Sequence, residues 1–173
     1  MHLGFEVGMN EPSVHVCIVN TPEGTKHYLT VLPVDVVFAK GLIPEAIVGV
    51  LLRLPSDGEP IEPEAFARNS LFVKFMHDVI AQHAPEERGC REEAKRLGTG
   101  WIFIVDRRTK TPEGAVPPQD IIGALQVKEG DVVPGSYQAS PEHQILTNDG
   151  FFQLTAGLHE CLLRELYARM SAA

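Results

Sequence analysis

A basic surface is what this chain most clearly lacks. Fifteen Lys and Arg face 23 Asp and Glu, a formal net charge of −8, and no run of like charge exceeds two or three residues. Nucleic-acid-binding domains carry a basic stripe or patch, and segments that bind anionic lipid are polybasic. The sequence therefore predicts no nucleic-acid partner and no membrane surface. Nor does any apolar run approach the roughly 18 residues that a spanning helix needs. The longest candidate, "LIPEAIVGVLLRL", carries Glu45 and Arg53 and reads as a packed helix.

Cysteine is scarce. Cys17, Cys90 and Cys161 lie far apart with no CxxC pair, which excludes a disulfide framework and predicts reduced thiols in the cytoplasm. The start "MHLGFEVGMNEPSV" has no basic region followed by an apolar run, so no secretory signal is expected. Neither GxxxxGK[ST] nor GxGxxG occurs. The seven histidines show no HxH or HxxxH spacing, and His159, Glu160 and Cys161 would point about 100° apart on a helix. No cofactor and no metal are expected.

What is present is an ordinary globular composition, with 44% hydrophobic and 22% charged residues over 173 positions. That length suits a single globular domain, residues 1–173, with one sizeable core. Leu3, Phe5 and Val7 alternate with polar or small residues, the period of a half-buried strand. Residues 13–20, "SVHVCIVN", and 26–32, "KHYLTVL", read as the arms of a hairpin. The five residues Thr21–Thr25 would form its loop, setting His15 opposite Val31 and His27 opposite Val19. "VDVVF" (34–38) reads as a further strand and Pro44–Arg53 as a short helix.

The strongest helical periodicity runs from Pro63 to His83, with Phe66, Phe72, Val73, Phe75, Met76, Val79 and Ile80 on one face. A surface helix follows, with Glu87–Arg91 and Glu92–Arg96 spaced four apart and Gly98 as its cap. "GWIFIVD" (100–106) is apolar on both faces, the mark of a central strand. "DIIGALQV" reads as a strand, "KEGD" as a turn, and Leu154–Met170 as an amphipathic helix. This order predicts an α+β fold. A mainly antiparallel sheet of about five to seven strands would pack against two long amphipathic helices, with shorter helices besides.

The tetrapeptide Thr-Pro-Glu-Gly occurs at 21–24 and again at 111–114. A true repeat recurs as a whole supersecondary unit, and the flanks here do not match. One turn solution is used twice.

Three groups of residues carry candidate chemistry. Asp106, Arg107 and Arg108 end a strand, and adjacent guanidinium groups can clamp a carboxylate or phosphate. The polar segment 134–150 supplies Ser136, Tyr137, His143, Asn148 and Asp149. Ser136 lacks a GxSxG setting, so turn chemistry that plants Tyr137 as a packing anchor competes with a triad. Asn69 and His159 fall inside the apolar arcs of the two long helices, where a polar group needs a partner; they could meet each other or line a pocket.

Two functions follow. The first is binding, through a protein partner or a homodimer, because "VHVCIVN", "HYLTVL" and "WIFIV" are apolar on both faces and need a cover. The second is a small enzyme or binding protein for an anionic ligand. It would use Asp106, Arg107 and Arg108 with Tyr137, His143 or His159 as acid or base.

Overall fold

The computed structural model describes residues 2–7, 14–110 and 114–172. Most of the second Thr-Pro-Glu-Gly, Thr111–Glu113, lies outside them. Along the chain run β1 (His2–Val7), β2 (Val14–Thr21), β3 (Gly24–Thr30), α1 (Val34–Lys40), β4 (Ile47–Leu51), β5 (Phe66–Arg68), α2 (Ser70–His83) and α3 (Arg88–Leu97). They are followed by β6 (Gly100–Val105), β7 (Ile121–Lys128), β8 (Asp131–Val132), β9 (Gln138–Ala139), β10 (Leu146–Thr147), β11 (Gly150–Phe151) and α4 (Ala156–Ala172). Every strand pair is antiparallel, and with the helices this makes the fold α+β.

Among the described residues, the strands do not form the single sheet of five to seven that the sequence predicts. They divide into a five-stranded sheet, a four-stranded sheet and a two-stranded ribbon. The chain itself separates into two compact units. One comprises residues up to Met76, Ile145–Phe151 and residues from Leu162 on; the other comprises His77–Gln144 and Phe152–Cys161.

The first unit holds the five-stranded sheet, in the order β1-β2-β3-β4-β5. Its hairpin is tighter than expected. Thr21 pairs with Gly24, leaving Pro22 and Glu23 as a two-residue turn. Gly24 takes φ 123, a conformation open to glycine, and accepts a 2.7 Å hydrogen bond from the Thr21 hydroxyl. The shorter loop moves the register by one, so His15 faces Thr30 and His27 faces Ile18. Val14, Val16, Cys17, Leu29, Val48 and Leu51 are buried.

Three expected elements change type here, each where local context overrides the side-chain pattern. "VDVVF" is the helix α1. Asp35 in its first turn and Lys40 in its last complement the helix dipole, and Gly41 at φ 80 closes it with a 2.8 Å bond to the Val37 carbonyl. The expected helix at 44–53 survives only as one tight turn, Pro44–Ala46; the branched run Ile47–Leu51 is β4. In the same way, Pro63–Ala65 is a single turn and Phe66–Arg68 pairs with β4. The long helix therefore begins only at Ser70.

Asn69 sets that start. Its Oδ1 accepts from Leu71 N at 3.2 Å, and its carbonyl accepts from Val73 N at 3.1 Å, the geometry of an N-cap.

The second unit holds β6-β7-β8, with β9 also paired to β7. Glu129 (φ 53) and Gly130 (φ 81) form the two-residue turn between β7 and β8, where both positions need positive φ. The cap of α3 is as expected: Gly98, φ 81, donates to the Ala94 carbonyl at 3.0 Å. Its ion pairs are not. They join Arg88 to Glu92, Arg91 to Glu86 and Arg96 to Glu93. Glu87 instead accepts from the Thr155 hydroxyl at 3.1 and 2.9 Å, and Thr155 Oγ1 in turn accepts from Leu158 N at the start of α4.

Candidate functional site

Three of the expected site residues meet in the second unit, deep inside it. Asp106, Arg108 and His143 are buried together with Asp120. Asp106 follows β6 directly, and its carboxylate organises the cluster. Oδ1 accepts from Arg108 N at 3.1 Å and Gln153 N at 2.9 Å. Oδ2 lies 2.9 Å from His143 Nε2 and 3.1 Å from Arg108 Nη2. The same Nη2 is 3.1 Å from Asp120 Oδ1 and donates to the carbonyls of Gln144 at 2.7 Å and Gln119 at 3.2 Å. Thr109 Oγ1 donates to Asp120 Oδ2 at 2.7 Å.

The backbone is drawn in as well. Asp106 N donates to Asp120 O at 2.7 Å, Arg107 N to Gln153 O at 2.8 Å, and Gln144 N to Gln119 O at 3.1 Å. One guanidinium thus ties the end of β6 to the segments before β7 and after β9. An ionised Asp106 can only accept, so the proton of its bond to His143 sits on Nε2. The arrangement holds four chain segments together, and both charges of the Arg108–Asp106 pair are fully withdrawn from solvent, at 0% side-chain exposure.

The remaining candidates lie elsewhere. Arg107, next to the buried guanidinium, is exposed. Tyr137 packs over Gly123 of β7, where a Cβ would come 2.5 Å from its hydroxyl. That hydroxyl is hydrogen-bonded to His77 Nδ1 at 2.7 Å. Ser136 Oγ accepts from Gln126 N at 3.0 Å and its backbone N–H donates to the Val133 carbonyl at 3.2 Å, the bonding of a turn residue. Asn69 belongs to the first unit, its amide donating to the carbonyls of Pro44 at 2.9 Å and Ile47 at 2.8 Å. His159 lies on the α4 segment of the second unit, with its backbone N–H on Thr155 O at 2.9 Å.

Burial raises the Cys17 thiol. Burial first, and the Glu87 carboxylate second, push Cys90 up to about 11; burial also raises Tyr137. A group whose pKa is raised by folding contributes stability that is complete below its unfolded value and is lost as pH climbs through the folded one. Urea unfolding should therefore show stability falling from about pH 9 to about pH 11, and Cys90→Ser should flatten that fall.

A different surface of the second unit is open. Sequence periodicity predicts β6 as a central strand, but it is an edge: among the described residues it pairs with β7 alone. Ile102 and Ile104 are buried, whereas Trp101 and Phe103 remain 42% and 61% exposed. The backbone at this edge also has no strand partner among the described residues. On β7, Gln126 O accepts from Val133 N, Ile122 O accepts from Ser140 N, and Gln126 N donates to Ser136 Oγ. Those residues turn away from β6. By alternation in the antiparallel ladder, their neighbours Trp101 and Phe103, facing Gln126 and Ala124, direct their own N–H and C=O outward.

A groove of about 760 Å3 lies against this strand. It is lined by Trp101, Phe103 and Val105 of one face, Ile102 of the other, Gly114, Val116 and Ile121, and by Glu93 and Arg96 of α3. Side chains of both faces line it, so it sits at the edge of the sheet. Arg96 donates to Glu93 through Nε at 2.9 Å, and this bond holds the Glu93 carboxyl below its usual value.

No family model, no curated protein and no solved structure matches the chain. Among the described residues, no group of three or more His, Cys, Asp or Glu is placed to hold a metal ion, and no helix is long and apolar enough to cross a membrane.

Sequence reasoning picked out Asp106, Arg108 and His143 but missed Asp120. Its signal was present: an acid directly ahead of the apolar run "IIGAL", matching Asp106 directly after "WIFIV". The open edge was missed because a continuous apolar strand reads the same whether both faces are covered or one waits for a cover.

Proposed function

We propose that the chain acts by binding, and that it does so by pairing an extended apolar segment with the open edge of β6. The observation that carries this reading is the coincidence, at Trp101 and Phe103, of outward backbone polar groups with exposed aromatic side chains. Added strands are held in this way: main-chain bonds give affinity and alternate side chains give selectivity. Edge strands that must stay unpaired are protected by charge, proline or a covering element. Residues 100–105, "GWIFIV", contain neither charge nor proline.

Trp101 is the lone tryptophan, so its emission reports the edge directly. Titration with a peptide of the sequence 100–106, carrying Leu in place of the tryptophan, should give a saturable blue shift. The same peptide N-methylated on alternate amides should give none. An unchanged spectrum at millimolar peptide, with the chain diluted until light scattering reads a monomer, would remove the edge from consideration.

The anionic-ligand alternative requires Arg107 and Arg108 to act together. Arg108 could do so only by leaving Asp106 and Asp120 buried without their cation, which is costly. A thermal-shift panel of phosphates and carboxylates should accordingly show no stabilisation that Arg107→Ala removes. A cytoplasmic setting fits the three free cysteines. A single cooperative domain fits the chain path, because neither unit is one continuous stretch.

A further inference from the structure

We propose that the segment which pairs with β6 is β6 of a second copy, forming a two-fold dimer with Phe103 on the axis. This rests on the edge-binding reading and names its partner.

The argument begins with register. In an antiparallel pair, directly opposed residues point to the same side of the sheet and alternate between bonded and non-bonded pairs. Trp101 and Phe103 direct their backbone groups outward. Val105 continues the alternation up to Asp106, whose N–H turns back to the Asp120 carbonyl. A two-fold centred on Phe103 opposes Phe103 to its own copy and Trp101 to Val105 of the copy. All three outward residues then fall in bonded positions. A two-fold centred on Ile102 opposes Trp101 to Phe103 and leaves Val105 without a partner in the strand. The Phe103 centre therefore satisfies more of the open edge.

The side chains agree with that centre. Trp101, Phe103 and Val105 share one face and would form a continuous apolar stripe with their copies, while Ile102 and Ile104 would continue the buried face. The most exposed of them, Phe103 at 61%, would lie where burial is deepest. The charged residues lining the groove are one acid and one base, Glu93 and Arg96, so two copies of it meet without net repulsion despite a chain charge of −8.

Light scattering at tens of micromolar should return twice the chain mass. Phe103→Lys, an exposed position whose change leaves the fold intact by circular dichroism, should weaken association by roughly 30-fold or more, as loss of a hot-spot aromatic does. Register is read by nitroxide labels in a Cys90→Ser/Cys161→Ser background. Spin–spin broadening should be strongest for the label at Phe103→Cys. It should be weaker at Trp101→Cys and Val105→Cys, whose like residues stand about 14 Å apart along the strands.

A monomer at these concentrations would overturn self-pairing, and so would a dimer that persists unweakened in Phe103→Lys. If the peptide still shifts Trp101 emission in either case, edge binding stands and only the partner is wrong. A monomer that also ignores the peptide removes both.

Discussion

Arg108→Met should lower the unfolding free energy by about 3–5 kcal/mol, the cost of breaking a buried pair from one side. Methionine fills similar volume, so the loss reports charge and hydrogen bonding rather than a cavity. The variant leaves Asp106 and Asp120 facing each other in a dry setting, and leaves the Gln119 and Gln144 carbonyls without the donor they now share. Arg108→Lys should recover little, because an ammonium cannot reproduce the planar fork. Adding Asp106→Asn and Asp120→Asn to Arg108→Met should restore part of the loss, because the stranded negative charges are then gone. Urea denaturation of the four proteins checks the whole series. A loss below about 1 kcal/mol for Arg108→Met, the size of an exposed pair, would show that water reaches the cluster.

Gly49→Ala should cost about 3 kcal/mol, at the upper end of what overpacking exacts. Gly49 sits in β4 between Leu29 of β3 and Arg68 of β5. A Cβ there would overlap the Ala67 carbonyl oxygen and the Phe66 ring. Neither can retreat freely. The carbonyl belongs to β5, and the ring stands edge-on to Phe151 at 5.6 Å between centroids. Gly89→Ala serves as the control. Its Cβ would meet nothing within 4 Å, and in α3 it should add up to about 1 kcal/mol. The two alanines should therefore shift the urea midpoint in opposite directions.

These two sites mark the limits of what the sequence discloses. α+β character, β1, β2, β7, α3 with its Gly98 cap and α4 are legible because periodicity and turn chemistry agree there. Between Val34 and Asn69 they conflict. The valines of α1 are strand formers, yet the charges at its ends and the glycine after it favour a helix. Phe66 fits the apolar arc of α2 but pairs in β5. A helical wheel cannot reveal that Asn69 ends one element and begins another, because the decisive partners, the Pro44 and Ile47 carbonyls, lie more than twenty residues away. The same holds for the buried cluster. Arg108 reads as a ligand clamp when only its neighbour Arg107 is in view. It becomes an internal tie once Asp120, Gln119 and Gln144 are folded around it.

The path of the chain carries one last consequence. The first unit is assembled from residues up to Met76, from Ile145–Phe151 and from Leu162 onward, and the second takes the stretches of sequence in between. On the ribosome, the emerging five-stranded sheet must therefore wait for segments made more than sixty residues later. Its nascent apolar surface stays unfinished throughout that interval, and a chain stalled before Leu162 should be a substrate for chaperones rather than a smaller folded protein.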